Sequence, residues 1–196
     1  MNGIEDSNPF EELKEYEVVV AYDDENKKLS NVMKDRGLDY VEVNLAVSEK
    51  LRTEFMKHFR VSELPVLLIE GIPALDDPSE RIKEYIERKE KKSLEKIQSV
   101  IDPNKITLFI KGSPEHPRCG FTKSLIEILY GLGVTRDKIE YLDVLSDEDI
   151  RERLKEINRW PTFPQVYIRG RFIGGLDIVR KMSEKGKLKD ELSGII

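Results

Sequence analysis

The chain has 196 residues, room for one large domain or two small ones at roughly 150 residues per domain. Charged residues make up 36%, well above the usual ~25%, but 33 Lys+Arg nearly balance 38 Asp+Glu. The net charge of -5 argues against a nucleic-acid partner held by global charge, because phosphate binding needs a concentrated positive field. Hydrophobic residues at 39% suffice for a core, which argues against wholesale disorder. A single cysteine excludes an intrachain disulfide framework. The acidic N-terminus, MNGIEDSNPFEELKEYE, has no apolar h-region and reads as no secretory signal. No apolar run approaches the ~20 residues of a membrane span. The expectation is a soluble protein of the cytoplasm, with the nucleus as a second compartment, that binds neither nucleic acid nor membrane; its lone thiol stays reduced there unless chemistry uses it.

In chain order, Glu17 to Tyr22 reads as a strand. Asp23 to Arg36 is helix-permissive, with Gly37 as its stop. Asp39 to Asn44 alternates like a strand. Ser48 opens a helix to about Arg60, with Leu51, Phe55 and Phe59 on one face. Leu64 to Ile69 is an apolar strand entered through Pro65, and Gly71 to Ala74 turns into a short strand. Asp77-Pro78 starts a long helix, Asp as N-cap and Pro at its first position. The charge run ERKEKK, Glu87 to Lys92, reads as a solvated helix end or linker, which puts the domain boundary near Lys92. A separate short helix is expected from Ser93 to Ile101.

The outline then repeats. Lys105 to Lys111 is a strand and Gly112 to Arg118 a turn-rich loop. Phe121 to Leu132 is a helix with Phe121, Leu125, Ile128, Leu129 and Leu132 on its apolar face. Ile139 to Val144 is a strand, Asp147 to Ile157 a helix, and Phe163 to Ile168 a strand entered through Pro164. Arg169-Gly170 turns into Arg171-Phe172-Ile173, and Gly174-Gly175 breaks the chain before a final helix. The order β-α-β-α-β-β-α, with a proline opening the third strand of each half, resembles the thioredoxin fold. That implies an α/β chain of two tandem thioredoxin-fold domains, residues 1–92 and 93–196, each a mixed four-stranded sheet flanked by helices. It also implies that Pro65 and Pro164 are cis.

The only thiol, Cys119, follows the loop KGSPEHPR and directly precedes a helix. Unpaired N–H groups and the positive end of the helix dipole would stabilise its thiolate, and Arg118 and Lys111 can add charge. A buried, inert cysteine is the bland alternative; its Arg and Gly neighbours in a Pro-rich loop weigh against that. Position 122 is Thr and the chain has no second cysteine, so any partner thiol comes from a small molecule or another chain.

KGSPEHPRCGFT followed by WPTFPQVYIRGRFIGGLDI resembles a monothiol glutaredoxin of the CGFS type, over about Ser93 to Leu192. The N-terminal half resembles the redox-inactive thioredoxin-like domain that precedes such glutaredoxins in eukaryotic multidomain members. The resemblance implies Cys119 as the catalytic thiol and as metal ligand. It implies glutathione contacts from Lys111 and Arg151 to a carboxylate and from Thr162, Phe163 and Pro164 to the cysteinyl backbone. Leu176 and Asp177 would hold the γ-glutamyl end. Each cation taken alone could equally be a solvated charge, and Trp160 is more often core packing than a ligand contact. His58 and His116 lack metal-ligand spacing and are assigned no role.

The resemblance further implies a [2Fe–2S] cluster bridging two chains. Such clusters take four thiolates; one cysteine per chain and two glutathiones supply them. A homodimer through the cluster, a BolA-like heterodimer partner contributing a His, and apo iron–sulfur acceptor proteins are the partners implied, with a role in iron trafficking or sensing. The other function weighed is a weak glutathione–disulfide oxidoreductase, a protein deglutathionylase working by a monothiol route. The loop between Lys111 and Cys119 is five residues longer than in dithiol glutaredoxins, which in the family goes with poor turnover, so the carrier ranks first. A third possibility is a pure interaction module. Two departures from the family pattern stand out: Thr122 replaces Ser, keeping the hydroxyl with an added methyl, and Leu176 stands where a Cys is common.

Overall fold

A computed structural model describes residues 9–23, 33 and 38–196. The helix expected over 23–36 and its stop at Gly37 lie outside these residues, save for Asp23 and for Met33, which is helical and fully buried. The chain divides into two units, Met1–Glu87 and Arg88–Ile196.

In the N-terminal unit the sheet holds β1 (Val18–Tyr22), β2 (Val41–Asn44), β3 (Val66–Ile69) and β4 (Ile72–Pro73) in the order β2-β1-β3-β4. β1 pairs parallel with β2 and antiparallel with β3, and β4 returns antiparallel on β3. β1 and β3 are buried along their whole length, so both faces must be covered. Phe10, Phe55 and Phe59 pack on the face made by Val19, Ala21, Val66 and Leu68. Met33, Ile82 and Tyr85 pack on the face made by Val18, Val20, Leu67 and Ile69. Phe55 and Phe59 lie on α1 (Glu49–Phe59), whose Ser48 N-cap accepts the Leu51 N–H.

Helix α2 (Pro78–Val100) starts as the sequence suggests: the Asp77 carboxylate accepts the Ser79 N–H at 2.8 Å and proline takes the first helical position. Its course corrects the reading of Ser93 to Ile101 as a separate helix, because those residues up to Val100 continue α2 without a break. The physical reason is in the charge run itself. Glu, Lys and Arg are good helix formers, and Glu87 to Lys92 contains neither Gly nor Pro to stop the ladder.

The C-terminal unit repeats the arrangement with β5 (Ile106–Ile110), β6 (Ile139–Asp143), β7 (Gln165–Ile168) and β8 (Arg171–Gly174) in the order β6-β5-β7-β8. The pairing is again parallel, antiparallel, antiparallel, with one irregularity between Val166 and Tyr167. Ile106, Leu108, Ile110, Val166 and Ile168 meet Leu125 and Leu129 of α3 (Gly120–Gly131) and Val179 of α5 (Leu176–Glu184). On the opposite face Phe109 and Tyr167 meet Ile97, Ile150 and Leu154, the last two from α4 (Glu148–Ile157). The two units are tandem thioredoxin-fold domains. Both proline entries, Leu64–Pro65 and Phe163–Pro164, are cis.

Two local expectations change. The stripe that α3 buries is Thr122, Leu125, Ile126 and Leu129, whereas Phe121 is 65% exposed. Phe121 belongs to the first turn, at the edge of the i, i+3, i+4, i+7 stripe. The final helix is two, α5 and α6 (Lys187–Leu192), because Gly186 adopts φ +72 between them. Among the described residues no helix is long and apolar enough to cross a membrane.

Candidate functional site

Strand β5 ends where Lys111 begins the loop to Cys119. That loop folds back on itself: Arg118 N–H donates to the Lys111 carbonyl at 2.9 Å, Ser113 N–H to the His116 carbonyl at 3.2 Å, and Gly112 bridges to Pro117. Gly112 has φ +86, and a Cβ there would lie 2.4 Å from the His116 carbonyl oxygen, so only glycine fits. Side chains from outside the loop fix its base. Gly112 N–H donates to Asp143 Oδ1 at 2.9 Å, and Lys111 N–H donates to Thr122 Oγ1 at 3.4 Å. The Thr122 hydroxyl is fully buried and reaches back from helix to strand end. At the tip, Glu115 pairs with Arg136 at 2.5 Å, and Arg136 also donates to the Ile139 carbonyl at 2.7 Å. The Glu115 carboxyl is held below its ordinary range by its own backbone N–H and then by Arg136.

Cys119 is the N-cap residue of α3, half-buried, and its thiol caps nothing. The helix N-terminus of α5 is likewise left open, because its N-cap is Gly175. By contrast Ser48, Asp77 and Asp147 supply side-chain oxygens to the starts of α1, α2 and α4. Helix starts without such partners have N–H groups free to meet an anion.

The starts of α3 and α5 border one cavity of about 420 Å³. Its lining includes every residue singled out from the sequence: Cys119, Lys111, Arg151, Thr162, Phe163, Pro164, Leu176 and Asp177. It also includes five that were given no such role there: Phe121, Lys155, Trp160, Pro161 and Gly175. Lys155 was legible, since it lies four residues after Arg151 and so on the same helix face. Gly175 matters for space: a Cβ there would lie 3.0 Å from Trp160 Nε1 and 3.1 Å from the Pro164 carbonyl oxygen.

The charged lining consists of three cations, Lys111, Arg151 and Lys155, against one carboxylate, Asp177. Arg151 is paired with Glu148 at 2.7 Å and Lys155 with Glu152 at 2.5 Å, both carboxylates being solvent-exposed. Such surface pairs are worth about 0–1 kcal/mol, so a better-placed ligand carboxylate can displace them. Asp177 is 82% exposed and 3.8 Å from Arg180.

Behind the cis-proline segment lies a polar chain in which Gln165 and Tyr167 are buried and Asn158 is half-buried. Tyr167 OH donates to Asn158 Oδ1 at 2.8 Å, Asn158 Nδ2 to Gln165 Oε1 at 2.7 Å, and Gln165 Nε2 to the Trp160 carbonyl at 3.0 Å. Burial raises the Tyr167 phenol above its ordinary range, opposed in part by Asn158. Among the described residues Trp160 Nε1 is a buried donor without a partner, and the indole ring meets Phe172 edge-on at 5.9 Å. Among the described residues no three His, Cys, Asp or Glu side chains come together to hold a metal ion.

The glutaredoxin family model matches residues 106–173. Probable monothiol glutaredoxin 2 of Rickettsia typhi is 45% identical over 103 residues, which are 53% of this chain and 90% of that protein. Glutaredoxin 3 of Danio rerio is 33% identical over 179 residues, 86% of this chain and 53% of that protein, so the chain spans about half the length of that relative. The solution structure of reduced poplar apo GrxS14 is 36% identical with a TM-score of 0.44, covering 54% of this chain and 91% of that one. The N-terminal domain has no cysteine and the C-terminal domain has one, Cys119, ahead of the second proline-entered strand. The chain belongs to the monothiol glutaredoxin family, with a thioredoxin-like domain preceding its glutaredoxin domain.

Proposed function

We propose that the chain binds glutathione in the Cys119 cavity and, with it, carries a [2Fe–2S] cluster for transfer or iron sensing. The observation behind the glutathione reading is the charge arrangement around the one thiol: three cations, one carboxylate and two open helix starts. Glutathione is an anionic tripeptide with a carboxylate at each end, an amine beside one of them and a thiol between. Lys111 and Arg151 would meet the glycine carboxylate, where a guanidinium suits two-point contact. Thr162, Phe163 and Pro164 would meet the cysteinyl backbone. The α5 start at Leu176 would take the γ-glutamyl carboxylate, and Asp177 its amine.

The cluster is cargo in this reading. A single chain offers one protein thiol, so a cluster needs two chains and two further thiols, which bound glutathione supplies. Half the ligands are then exchangeable, which favours transfer over permanent electron transfer. A BolA-like protein replacing one chain, with a His as ligand, is the heterodimer proposed, and apo iron–sulfur proteins are the acceptors. The N-terminal domain, which has no thiol, would act as a docking module.

The second reading is monothiol oxidoreductase chemistry, favoured by a half-buried thiol that caps nothing. The Cys119 thiolate would attack the glutathione sulfur of a glutathionylated protein. The disulfide S–S bond between that sulfur and the protein's own breaks, the protein leaves as a thiolate, and Cys119 carries the glutathione. A second glutathione attacks that mixed disulfide, releasing glutathione disulfide and restoring Cys119.

Anaerobic reconstitution with iron, sulfide and glutathione separates the two readings, read by visible absorption and by mass in solution. The carrier reading expects a coloured dimer that forms only with glutathione present and not in Cys119→Ser. A protein that is glutathionylated at Cys119 yet takes up no cluster contradicts the carrier and leaves the oxidoreductase, and Thr122→Ser is then the first reversion to make.

A further inference from the structure

The polar chain from Tyr167 to the Trp160 carbonyl has a direction that chemistry forces. A carbonyl oxygen only accepts, so Gln165 must turn its amide nitrogen toward Trp160. Its oxygen then accepts from Asn158, whose own oxygen is left to accept from Tyr167. Gln165 is fully buried and Tyr167 is 6% exposed, so neither can exchange these partners for water at little cost. The Trp160 N–H is fixed too, donating to the Lys155 carbonyl at 2.9 Å. Both backbone polar groups of Trp160 are therefore held. From Trp160 the chain runs through Pro161 and Thr162 to the cis Phe163–Pro164 bond, all lining the cavity.

We propose that Gln165, backed by Asn158 and Tyr167, is a positioning residue that sets the cavity wall from Trp160 to Pro164. Gln165 touches no ligand; it acts through the Trp160 carbonyl. The next residue on β7 after the cis-proline thus decides how the preceding wall presents its backbone. This inference rests on the reading of the cavity as a glutathione site, and its test is built so that the two can fail separately.

The test uses the full chain carrying Cys119→Ser, so that binding is not confused with disulfide exchange. Gln165→Met keeps the volume and removes both hydrogen bonds; Asn158→Ala and Tyr167→Phe remove the links further back. Glutathione affinity is read by calorimetry, and backbone order by hydrogen exchange at Thr162 and Phe163. Trp160, the only tryptophan, reports the wall through its emission. The expected result is a loss in glutathione affinity on the order of tenfold for Gln165→Met, with a smaller loss for Tyr167→Phe. Gln165→Met should also speed exchange at Thr162 and shift the emission. The double variant Gln165→Met/Asn158→Ala should bind no worse than Gln165→Met alone, because Asn158 acts only through Gln165.

Additive losses in the double variant, or a lowered melting temperature with unchanged exchange at Thr162 and unchanged emission, would overturn the proposal and leave Gln165 a stability residue. If the parent does not bind glutathione at all, the glutathione reading falls. Exchange and emission then still decide the positioning role: a response in both upholds it and no response in either overturns it.

Discussion

The cis-proline segments of the two domains enter the third strand of sheets with the same strand order, and there the likeness ends. In the N-terminal domain the last helix starts at Asp77-Pro78, where the aspartate side chain takes the N–H that a ligand would otherwise meet. In the C-terminal domain the last helix starts at Gly174-Gly175, with no side chain on the helix end and no Cβ between Trp160 and Pro164. No cysteine lies in the first 92 residues, whereas Cys119 stands at the open start of α3. The thioredoxin fold is a scaffold common to both. The chemistry depends on a few residues at the ends of its strands and helices, in line with the general rule that function resides in sites grafted onto folds.

The comparison can be broken first at the thiol. Cys119→Ser should abolish mixed-disulfide formation with glutathione disulfide, as judged by mass spectrometry, since no other sulfur nucleophile of cysteine type exists in the chain. Next come two cations of the cavity wall. Lys111→Ala and Arg151→Ala should each weaken glutathione binding about ten- to a hundredfold, the effect of losing a charge-assisted hydrogen bond worth about 1.5–3 kcal/mol, measured by calorimetry. A smaller effect is expected at the base of the loop. Thr122→Val leaves the Lys111 N–H without its acceptor and should cost about 1–3 kcal/mol in denaturant unfolding, whereas Thr122→Ser keeps the hydroxyl and should cost less.

How far these features could be read from the sequence follows from how local each one is. The strands of both sheets, the Ser48, Asp77 and Asp147 helix starts and the glycine break before α5 are set by near neighbours in the chain, and their residues announce them. The continuity of α2 was obscured because a charge run is equally compatible with a linker and with a solvated helix. Periodicity alone assigns Phe121 to the buried face, because it does not tell how far the buried stripe extends around the first turn. The cavity lining gathers residues from the loop after β5, the starts of α3 and α5, α4 and the cis-proline loop that lie up to 66 positions apart, Lys111 to Asp177, and only the family motif links them in the sequence. The polar chain behind Trp160 had no sequence signal at all. An Asn, a Gln and a Tyr spaced over residues 158–167 gain meaning only once β7 turns them to the same side.

The smallest of the expected effects concerns the closed helix starts. Asp147→Ala should cost about 1 kcal/mol as a lost N-cap, without changing thiol chemistry. Burial works to raise the Asp147 carboxyl, but the Ile150 N–H and then Lys96 outweigh it and hold it below the ordinary aspartate range. A carboxyl lowered on folding stabilises above its unfolded value and loses that contribution as pH falls through the folded one. The stability difference between wild type and Asp147→Ala should therefore be full at neutral pH and shrink below about pH 4, as followed by thermal unfolding across pH.

If one of two like-folded domains holds a glutathione site, a titration of the full chain with reduced glutathione, followed by amide chemical shifts, should show it. Shifts are expected at Lys111, Arg151, Thr162, Phe163, Leu176 and Asp177, with none at Val66, Asp76 or Asp77 in the N-terminal domain. Shifts of equal size at both cis-proline segments, or none around Cys119 at millimolar glutathione, would contradict it.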